Sequence, residues 1–150
     1  MIRLLLYPCT GTPKEISNKA YDLLKNVLQD KNAVIKKSPM GKPYLEQGNT
    51  HFSISHTSSL IAIAISTSNV GIDIEEKDRT ISAGVGRRFL EGSTDLCAWV
   101  HFEAFSKLQG NGITVGFSKM KSTPHSFCEL EALNHRICIC TYGDLTLCRI

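Results

Sequence analysis

The sequence predicts an α+β fold built from two similar small lobes, each a helix packed on an antiparallel three-stranded sheet. Three observations support this prediction. Each half of the 150-residue chain contains one segment whose apolar residues recur with helical spacing. Short runs typical of strands surround both segments. Written as elements, each half follows the order strand, helix and then strands, which is typical of folds that segregate helices from sheets.

The first half begins with a predicted strand over residues 2–7 and a helix that starts after Thr12. Thr12 can cap this helix, Pro13 suits its first position, and Glu15 can complete a capping box. The following apolar stripe has a period near 3.6 residues and consists of Ile16, Ala20, Leu23, Leu24, Val27 and Leu28. A weak strand at residues 34–35 and a loop with two prolines and a glycine over residues 38–43 come next.

Three strands are predicted over residues 52–55, 60–66 and 70–75, the last two joined by a hairpin turn. No pattern is visible over residues 77–86, where two glycines indicate a flexible connection. A second helix is predicted from about residue 94 to residue 109, ended by Gly110 and Gly112. The remaining predicted strands lie near residues 113–117, 127–132, 136–142 and 145–149. We expect a single domain over residues 1–150, with lobes of about 1–76 and 77–150.

Composition and charge exclude several classes of protein. Seventeen Lys and Arg against fourteen Asp and Glu give a net charge of +3 and a pI near 8.5, too mild for a typical nucleic-acid-binding domain. The longest apolar run is far shorter than the roughly 20 residues of a membrane helix, and the first residues lack the apolar region of a secretion signal. We therefore expect a cytoplasmic protein that binds neither nucleic acid nor membrane.

The six cysteines are expected to be reduced, because a cytoplasm keeps thiols from forming disulfides. Cys138 and Cys140 lie on one face of a predicted strand. No second pair of cysteines follows at the spacing of a zinc site. We therefore interpret these two residues as buried small hydrophobic side chains.

Two carboxylates share one face of a predicted strand. Because side chains alternate along a strand, Asp73 and Glu75 lie on one face while Ile72 and Ile74 point to the core. Neighbouring carboxylates repel each other unless a cation lies between them. Mg²⁺ is commonly held by one or two carboxylates together with substrate phosphates. The alternative is a solvated acidic face on an edge strand.

Four further side chains can complete a site for a phosphorylated ligand. Glu103 borders the buried stripe of the second helix and can supply a third carboxylate, although an ordinary ion pair with Lys107 is the alternative. Ser55 and His56 end a strand, where they can hydrogen-bond a phosphate or merely start a turn. Lys42 lies between a glycine and a proline, so a rigid loop can present its ammonium group to a phosphate.

The order and spacing of these segments resemble the 4′-phosphopantetheinyl transferase superfamily. The matching segments are Gly41-Lys42-Pro43, Phe52-Ser53-Ile54-Ser55-His56, Gly71-Ile72-Asp73-Ile74-Glu75 and Trp99-x-x-x-Glu103-Ala104-x-x-Lys107-x-x-Gly110-x-Gly112. Each motif alone is common, whereas four in register are specific. The resemblance covers residues 41–112 and is to the larger, pseudo-dimeric type that activates peptide synthetases, in a shortened form.

The resemblance implies a reaction and a metal. Such enzymes transfer the 4′-phosphopantetheine arm of coenzyme A to a serine of an apo acyl or peptidyl carrier protein and release 3′,5′-ADP. It implies that Asp73, Glu75 and Glu103 bind Mg²⁺ on the pyrophosphate of coenzyme A. Glu103 would also help to deprotonate the serine. Because one chain carries all three carboxylates, we expect a complete site in a monomer.

The resemblance also implies roles for four residues that contact coenzyme A. His56 and Lys107 would contact the phosphates and take part in catalysis together with Glu103. Lys42 and Ser55 would hold the nucleotide end. The charges of these residues agree with this assignment, because cations near the bridging oxygens stabilise the charge that develops on the leaving group.

Three departures from the family pattern would weaken binding of coenzyme A. Phe102 stands where the family usually has a lysine, Asn111 replaces a basic residue, and we expect the basic N-terminal segment of the larger type to be missing. The alternative function is therefore a catalytically impaired relative that binds coenzyme A or a carrier protein. If the ligand approaches as in the family, Phe102→Lys should improve binding, whereas a buried Phe102 would make the same change costly.

Overall fold

The computed structural model describes residues 1–114 and 116–149, which form an α+β fold with two main sheets. In chain order the elements are β1 (Ile2–Pro8), α1 (Pro13–Leu28), β2 (Ile35–Lys37), β3 (Pro43–Leu45), β4 (His51–His56), β5 (Leu60–Ser66), β6 (Val70–Glu76), α2 (Ala83–Phe89), α3 (Leu96–Gln109), α4 (Phe117–Ser122), β7 (Ser126–Ala132), β8 (His135–Thr141) and β9 (Leu147–Arg149). A 3₁₀ turn at Gly112–Thr114 separates α3 from α4. The predicted α+β class is confirmed.

The two main sheets each combine strands from both halves of the chain. The first sheet has the order β4-β5-β1-β9, antiparallel except for the parallel pair of β1 and β9. The second has the order β6-β8-β7 and is antiparallel throughout. β6, which the sequence groups with the first half, thus pairs with β8 of the second half. The similarity of two lobes and their division near residue 76 remain predictions.

The helices and sheets stack in four layers, α1, first sheet, second sheet and α3. The three buried clusters show this order. The cluster between α1 and the first sheet includes Ile16, Ala20, Leu24, Phe52, Ile61 and Ile63. The cluster between the sheets includes Leu4, Ala62, Ala64, Ile72, Ile74, Ile137 and Ile139. The cluster under α3 includes Trp99, Phe102, Phe105, Leu108, Cys138 and Cys140. Both faces of β5 are therefore covered, which explains why its sequence is uninterruptedly apolar.

Both predicted long helices are confirmed. The side chain of Thr12 accepts a hydrogen bond from the N–H of Glu15, and the Glu15 carboxylate accepts one from the N–H of Thr12, which completes the predicted capping box. α3 begins after Asp95, whose carboxylate accepts hydrogen bonds from the backbone of the first turn. Gly110 ends α3 in the left-handed conformation, at φ 74°.

Two local predictions are wrong. Residues 113–117, predicted as a strand, contain the end of the 3₁₀ turn and the start of α4, and Val115 lies outside the described residues. The ring of Phe117 packs on Phe102, so a tertiary contact decides the conformation of a run too short to distinguish helix from strand. The connection predicted as flexible contains α2. Ser82 caps this helix, and a Cβ on Gly86 would lie 2.3 Å from the Ser93 carbonyl oxygen.

The thiols agree with the sequence-based expectation. The five cysteines whose side chains the structure describes are free, and Cys138 and Cys140 are fully buried in the cluster under α3. Within the described part of the chain, no helix combines the length and apolar character needed to cross a bilayer.

Candidate active site

Serine hydroxyls of β4 cover the free edge of β6. The Ile72 N–H donates to Ser53 Oγ at 3.1 Å, and the Ile74 N–H donates to Ser55 Oγ at 3.3 Å. Both serines are buried. A buried N–H without a partner is costly, so these bonds stabilise an edge that no strand pairs with on that side. They also join the two sheets and bring Ser55 against the acidic face of β6.

Gly71 allows α3 to lie directly on β6. A Cβ at this position would come within 2.0 Å of the Ala104 carbonyl oxygen and 2.4 Å of the Leu108 nitrogen. Ala104 is itself small and fully buried. This close approach of helix and strand brings Glu103 and Lys107 next to the carboxylates of β6.

Three carboxylates converge where α3 crosses β6. Asp73, Glu75 and Glu103 each offer an oxygen within 4.8 Å of the other two. Asp73 is 2% exposed and Glu75 8%, so the alternative of a solvated acidic face is wrong. Trp99 Nε1 donates to Glu75 Oε1 at 3.3 Å, and the Arg79 guanidinium forms an ion pair with the same oxygen.

Lys107 reaches from α3 to β6. Its Nζ lies 2.7 Å from Asp73 Oδ1 and donates to Ser55 Oγ at 3.0 Å. Ser55 Oγ in turn donates to Asp73 Oδ1 at 2.9 Å. In the part of the chain that the structure describes, the ion pair of Lys107 is with Asp73, and the alternative pair with Glu103 does not form. The ammonium group is thereby held in one position beside the carboxylates.

The surroundings of the carboxylates fit a hard divalent cation. Asp73 Oδ2 is buried and has no hydrogen-bond partner among the described residues. Burial and the charges of Asp73 and Glu75 raise the pKa of Glu103 to about 8, although Lys107 opposes this shift. Buried negative charge and an unpartnered oxygen both favour a bound cation, and carboxylate oxygens are the donors that Mg²⁺ prefers.

Glu103 and Lys107 form part of the wall of two cavities. The larger, of about 550 Å³, is also lined by His56, Thr57 and Arg79. The smaller, of about 300 Å³, is lined by Lys42, Phe52, Ile113 and neighbouring residues. Partial burial and the positive charge of Lys107 lower the pKa of His56. A ligand that spans both cavities would therefore pass over the Glu103 and Lys107 side chains.

Lys42 lies at the C-terminal end of α3. Its Nζ donates to the carbonyl oxygen of Leu108 at 3.1 Å and to that of Val70 at 3.5 Å. Burial lowers the pKa of Lys42. The lysine therefore neutralises the partial negative charge of a helix end while its stem lines the smaller cavity. The predicted site residues thus lie either in the acidic cluster or in the walls of the two cavities. The roles of these residues toward a ligand remain predictions.

Phe102 is a core residue. It is fully buried, and its ring packs against those of Phe89, Trp99 and Phe117 at centroid distances of 6.4, 6.2 and 6.0 Å. Of the two sequence-based interpretations, the buried one is therefore correct. Phe102 does not stand in for a missing cation at the mouth of the site.

Three residues of the site were not predicted. Ser53 lies two residues before Ser55 and therefore shares its strand face. This spacing is the sequence signal that could have identified Ser53. Trp99 enters the sequence analysis only as the first residue of the family motif on the second helix, although a buried indole N–H needs a partner. Arg79 follows the end of β6, where spacing predicts no contact, so only the tertiary structure could reveal its pairing with Glu75.

Comparison with known proteins gives one informative similarity. No protein-family model matches the chain. The chain is 34% identical over 94 residues to a 4′-phosphopantetheinyl transferase of Bacillus pumilus. The resemblance to the phosphopantetheinyl transferases is confirmed. The similarity covers 52% of this chain and 40% of the relative, so the chain spans well under two thirds of the length of that transferase.

Proposed function

We propose that this chain transfers the 4′-phosphopantetheine arm of coenzyme A to a serine of an apo acyl or peptidyl carrier protein and releases 3′,5′-ADP. The observation that carries the proposal is the buried convergence of Asp73, Glu75 and Glu103 beside Lys107. The similarity to the Bacillus pumilus transferase supports the same class of reaction. We propose Asp73, Glu75 and Glu103 as ligands of Mg²⁺, which when bound would neutralise charge on the pyrophosphate.

The proposed reaction exchanges one phosphorus–oxygen bond for another. The serine oxygen forms a bond to the phosphorus that carries the pantetheine arm. The bond from this phosphorus to the bridging oxygen breaks, and 3′,5′-ADP leaves with the electron pair. Lys107 and His56 line the larger cavity, where positive charge or a hydrogen-bond donor would stabilise the leaving phosphate.

Glu103 is the residue proposed to accept the serine proton. Its carboxylate lines both cavities, so it can come within hydrogen-bond reach of a serine hydroxyl that enters the site. Lys42 and Ser55 are proposed to hold the nucleotide end, since they border the smaller and the larger cavity respectively. Ser55 would also orient Lys107 through its hydrogen bond.

Intact-mass measurement tests the proposed transfer. The chain is incubated with coenzyme A, Mg²⁺ and apo carrier proteins from fatty-acid, polyketide and peptide synthesis. The expected result is one added phosphopantetheine on a carrier and an equal amount of 3′,5′-ADP. Glu103→Gln should lose the transfer, whereas Glu131→Gln, an exposed carboxylate on β7, should keep it.

A second candidate function is an impaired relative that binds coenzyme A without transferring its arm. Asn111 stands where the family pattern has a basic residue, and this missing charge favours the second candidate. Isothermal titration with coenzyme A and Mg²⁺ distinguishes the two: binding without mass transfer to any carrier supports the impaired relative. If coenzyme A does not bind and no carrier gains mass, both candidate functions are contradicted.

A further inference from the structure

Two histidines and a cysteine converge at a second place on α3. His101 of α3, His125 just before β7 and Cys140 of β8 each offer a ligand atom within 4.8 Å of the other two. Cys140 is fully buried, and both histidines are partly buried. His101 precedes Glu103 by two residues, which is about 200° around a helix. The cluster therefore lies on another side of α3 than the carboxylates and takes no part in the proposed transfer.

Hydrogen bonding orients the imidazole of His125 as in metal-binding histidines. His125 Nδ1 lies 2.8 Å from the carbonyl oxygen of Thr123, which can only accept, so Nδ1 carries the proton. His125 Nε2 then presents its lone pair, at 2.8 Å from His101 Nε2. Metal-binding histidines typically donate their second ring N–H to a carbonyl or carboxylate in this way.

Aromatic rings pack against both histidines of the cluster. The ring of Phe127 lies 4.0 Å from that of His101, and the ring of Phe105 lies 4.7 Å from that of His125, measured between centroids. Cys138 Sγ lies 4.0 Å from Cys140 Sγ, so a second sulfur is near. Apolar rings beside the ligands lower the local dielectric constant and so strengthen the bonds of a metal to charged ligands.

We propose that His101, His125 and Cys140 form a binding site for a borderline-soft divalent metal, with Zn²⁺ as the expected ion. Two imidazole nitrogens and one thiolate are typical zinc donors, whereas Mg²⁺ prefers oxygen. Binding releases the thiol proton of Cys140 and any proton held between the two Nε2 atoms. The metal would join three elements: α3, strand β8 and the segment that precedes β7. Its expected effect is to stabilise the packing of α3 on the second sheet.

Titration of the reduced full-length chain with Co²⁺ tests this site independently of transferase activity. We expect one thiolate-bound Co²⁺ per chain, visible as thiolate-to-cobalt charge-transfer absorption and tetrahedral d–d bands, and displaced by Zn²⁺. His125→Gln and Cys140→Ser should each weaken Co²⁺ binding by more than about 100-fold. Loss of an outer-shell partner alone costs about 10- to 100-fold, and these residues are proposed as direct ligands. Zn²⁺ should raise the melting temperature of the unchanged protein but not that of His125→Gln.

Matched variants separate this site from other metal-binding groups. Cys97→Ser and His51→Gln remove a thiol and an imidazole elsewhere and should leave the absorption unchanged. His125→Gln alters a partly exposed residue, so it remains informative if Cys140→Ser does not fold. The proposal is overturned if no charge-transfer absorption appears, or if Asp73→Asn abolishes the Co²⁺ signal while His125→Gln retains it.

Discussion

The two carboxylate oxygens of Asp73 have different surroundings. Oδ1 accepts hydrogen bonds from Ser55 and Lys107, whereas Oδ2 is buried without a partner among the described residues. A buried acceptor without a donor costs free energy. A cation bound at Oδ2 would offset this cost, so the arrangement fits a ligand-binding role for Asp73.

Replacement of Asp73 by asparagine separates charge from shape. Asp73→Asn keeps an acceptor for Ser55 and Lys107 but removes one negative charge from the proposed Mg²⁺ site. We expect Mg²⁺-dependent transfer to fall by more than about 100-fold, with a small change in melting temperature because Lys107 is partly exposed. Asp78→Asn, an exposed carboxylate, is the control. Unchanged transfer by Asp73→Asn would exclude Asp73 as a ligand.

The stability of the metal-free protein should depend on the charge of Glu103. The pKa of Glu103 is raised to about 8 in the folded state, against an ordinary value of 4.5, so between these values the folded chain binds more protons than the unfolded chain. Stability associated with Glu103 is therefore fully present below pH 4.5 and falls as the pH rises through 8. In a chelator, the melting temperature of Glu103→Gln relative to the unchanged protein should rise across this window. If the difference in melting temperature is constant across this pH range, the pKa of Glu103 is not raised.

Phe102→Lys should destabilise the fold without improving coenzyme A binding. The side chain is fully buried among three aromatic rings, and a buried charge without a partner costs several kcal/mol. We expect a loss of about 3 kcal/mol or more in the free energy of unfolding. Phe102→Leu, which keeps an apolar side chain, should lose clearly less. Tighter coenzyme A binding by Phe102→Lys, measured by titration, would contradict this view.

At the scale of elements, the packing of α3 on β6 creates the site. The strand supplies Asp73 and Glu75, and the helix supplies Glu103 and Lys107. The distance between the two elements is set by Gly71, where a side chain would overlap the backbone of α3. The serines of β4 fix the other side of β6, so the strand is held between α3 and the first sheet.

Gly71→Ala should therefore affect both stability and transfer. The added methyl group cannot fit at 2.0 Å from the Ala104 carbonyl oxygen, so α3 must move away from β6. Overpacking of this kind typically costs about 1–3 kcal/mol, and the displaced helix would carry Glu103 and Lys107 away from Asp73. Chemical denaturation and the transfer assay measure the two effects.

Gly84→Ala provides the matched control. Gly84 lies in α2, and the nearest atom to an added Cβ there is Ser82 Oγ at 3.8 Å. Alanine favours a helix over glycine by roughly 0.5–1 kcal/mol, so Gly84→Ala should be neutral or slightly stabilising. If both glycine variants behaved alike, the close approach at Gly71 would not be what positions the site.

At the scale of the whole molecule, each of the two main sheets contains one strand from the other half of the chain. β6 joins the sheet formed by β7 and β8, and β9 joins the sheet that begins with β1. Each half thus completes the sheet of the other. The acidic cluster lies where the edges of the two sheets meet, on residues of a single chain.

A monomer should therefore carry a complete site. Because all three carboxylates come from one chain, transfer activity per chain should not change with protein concentration. Light scattering should give the mass of one chain, and activity should survive dilution. An obligate trimer whose activity is lost on dilution would contradict this expectation.

Periodicity and capping residues in the sequence were sufficient to predict α1, α3 and most strands. The stripe beginning at Ile16 and the capping box of Thr12 and Glu15 are local signals, so their outcome does not depend on distant residues. The strand predicted after Gly112 is wrong because the conformation of this segment does depend on distant residues. Its few apolar residues are compatible with helix or strand, and α4 forms because Phe117 finds a partner in Phe102.

The sequence by itself determined which residues could do chemistry at this site, because strand alternation places Asp73 and Glu75 on one face and helical spacing aligns Glu103 with Lys107. Only the tertiary structure decided how they meet. The ion pair of Lys107 is with Asp73 across two elements, and Phe102 is core. Such outcomes depend on which surfaces pack together and how closely, and these distances are set by contacts between residues far apart in the chain, such as Gly71 with Ala104.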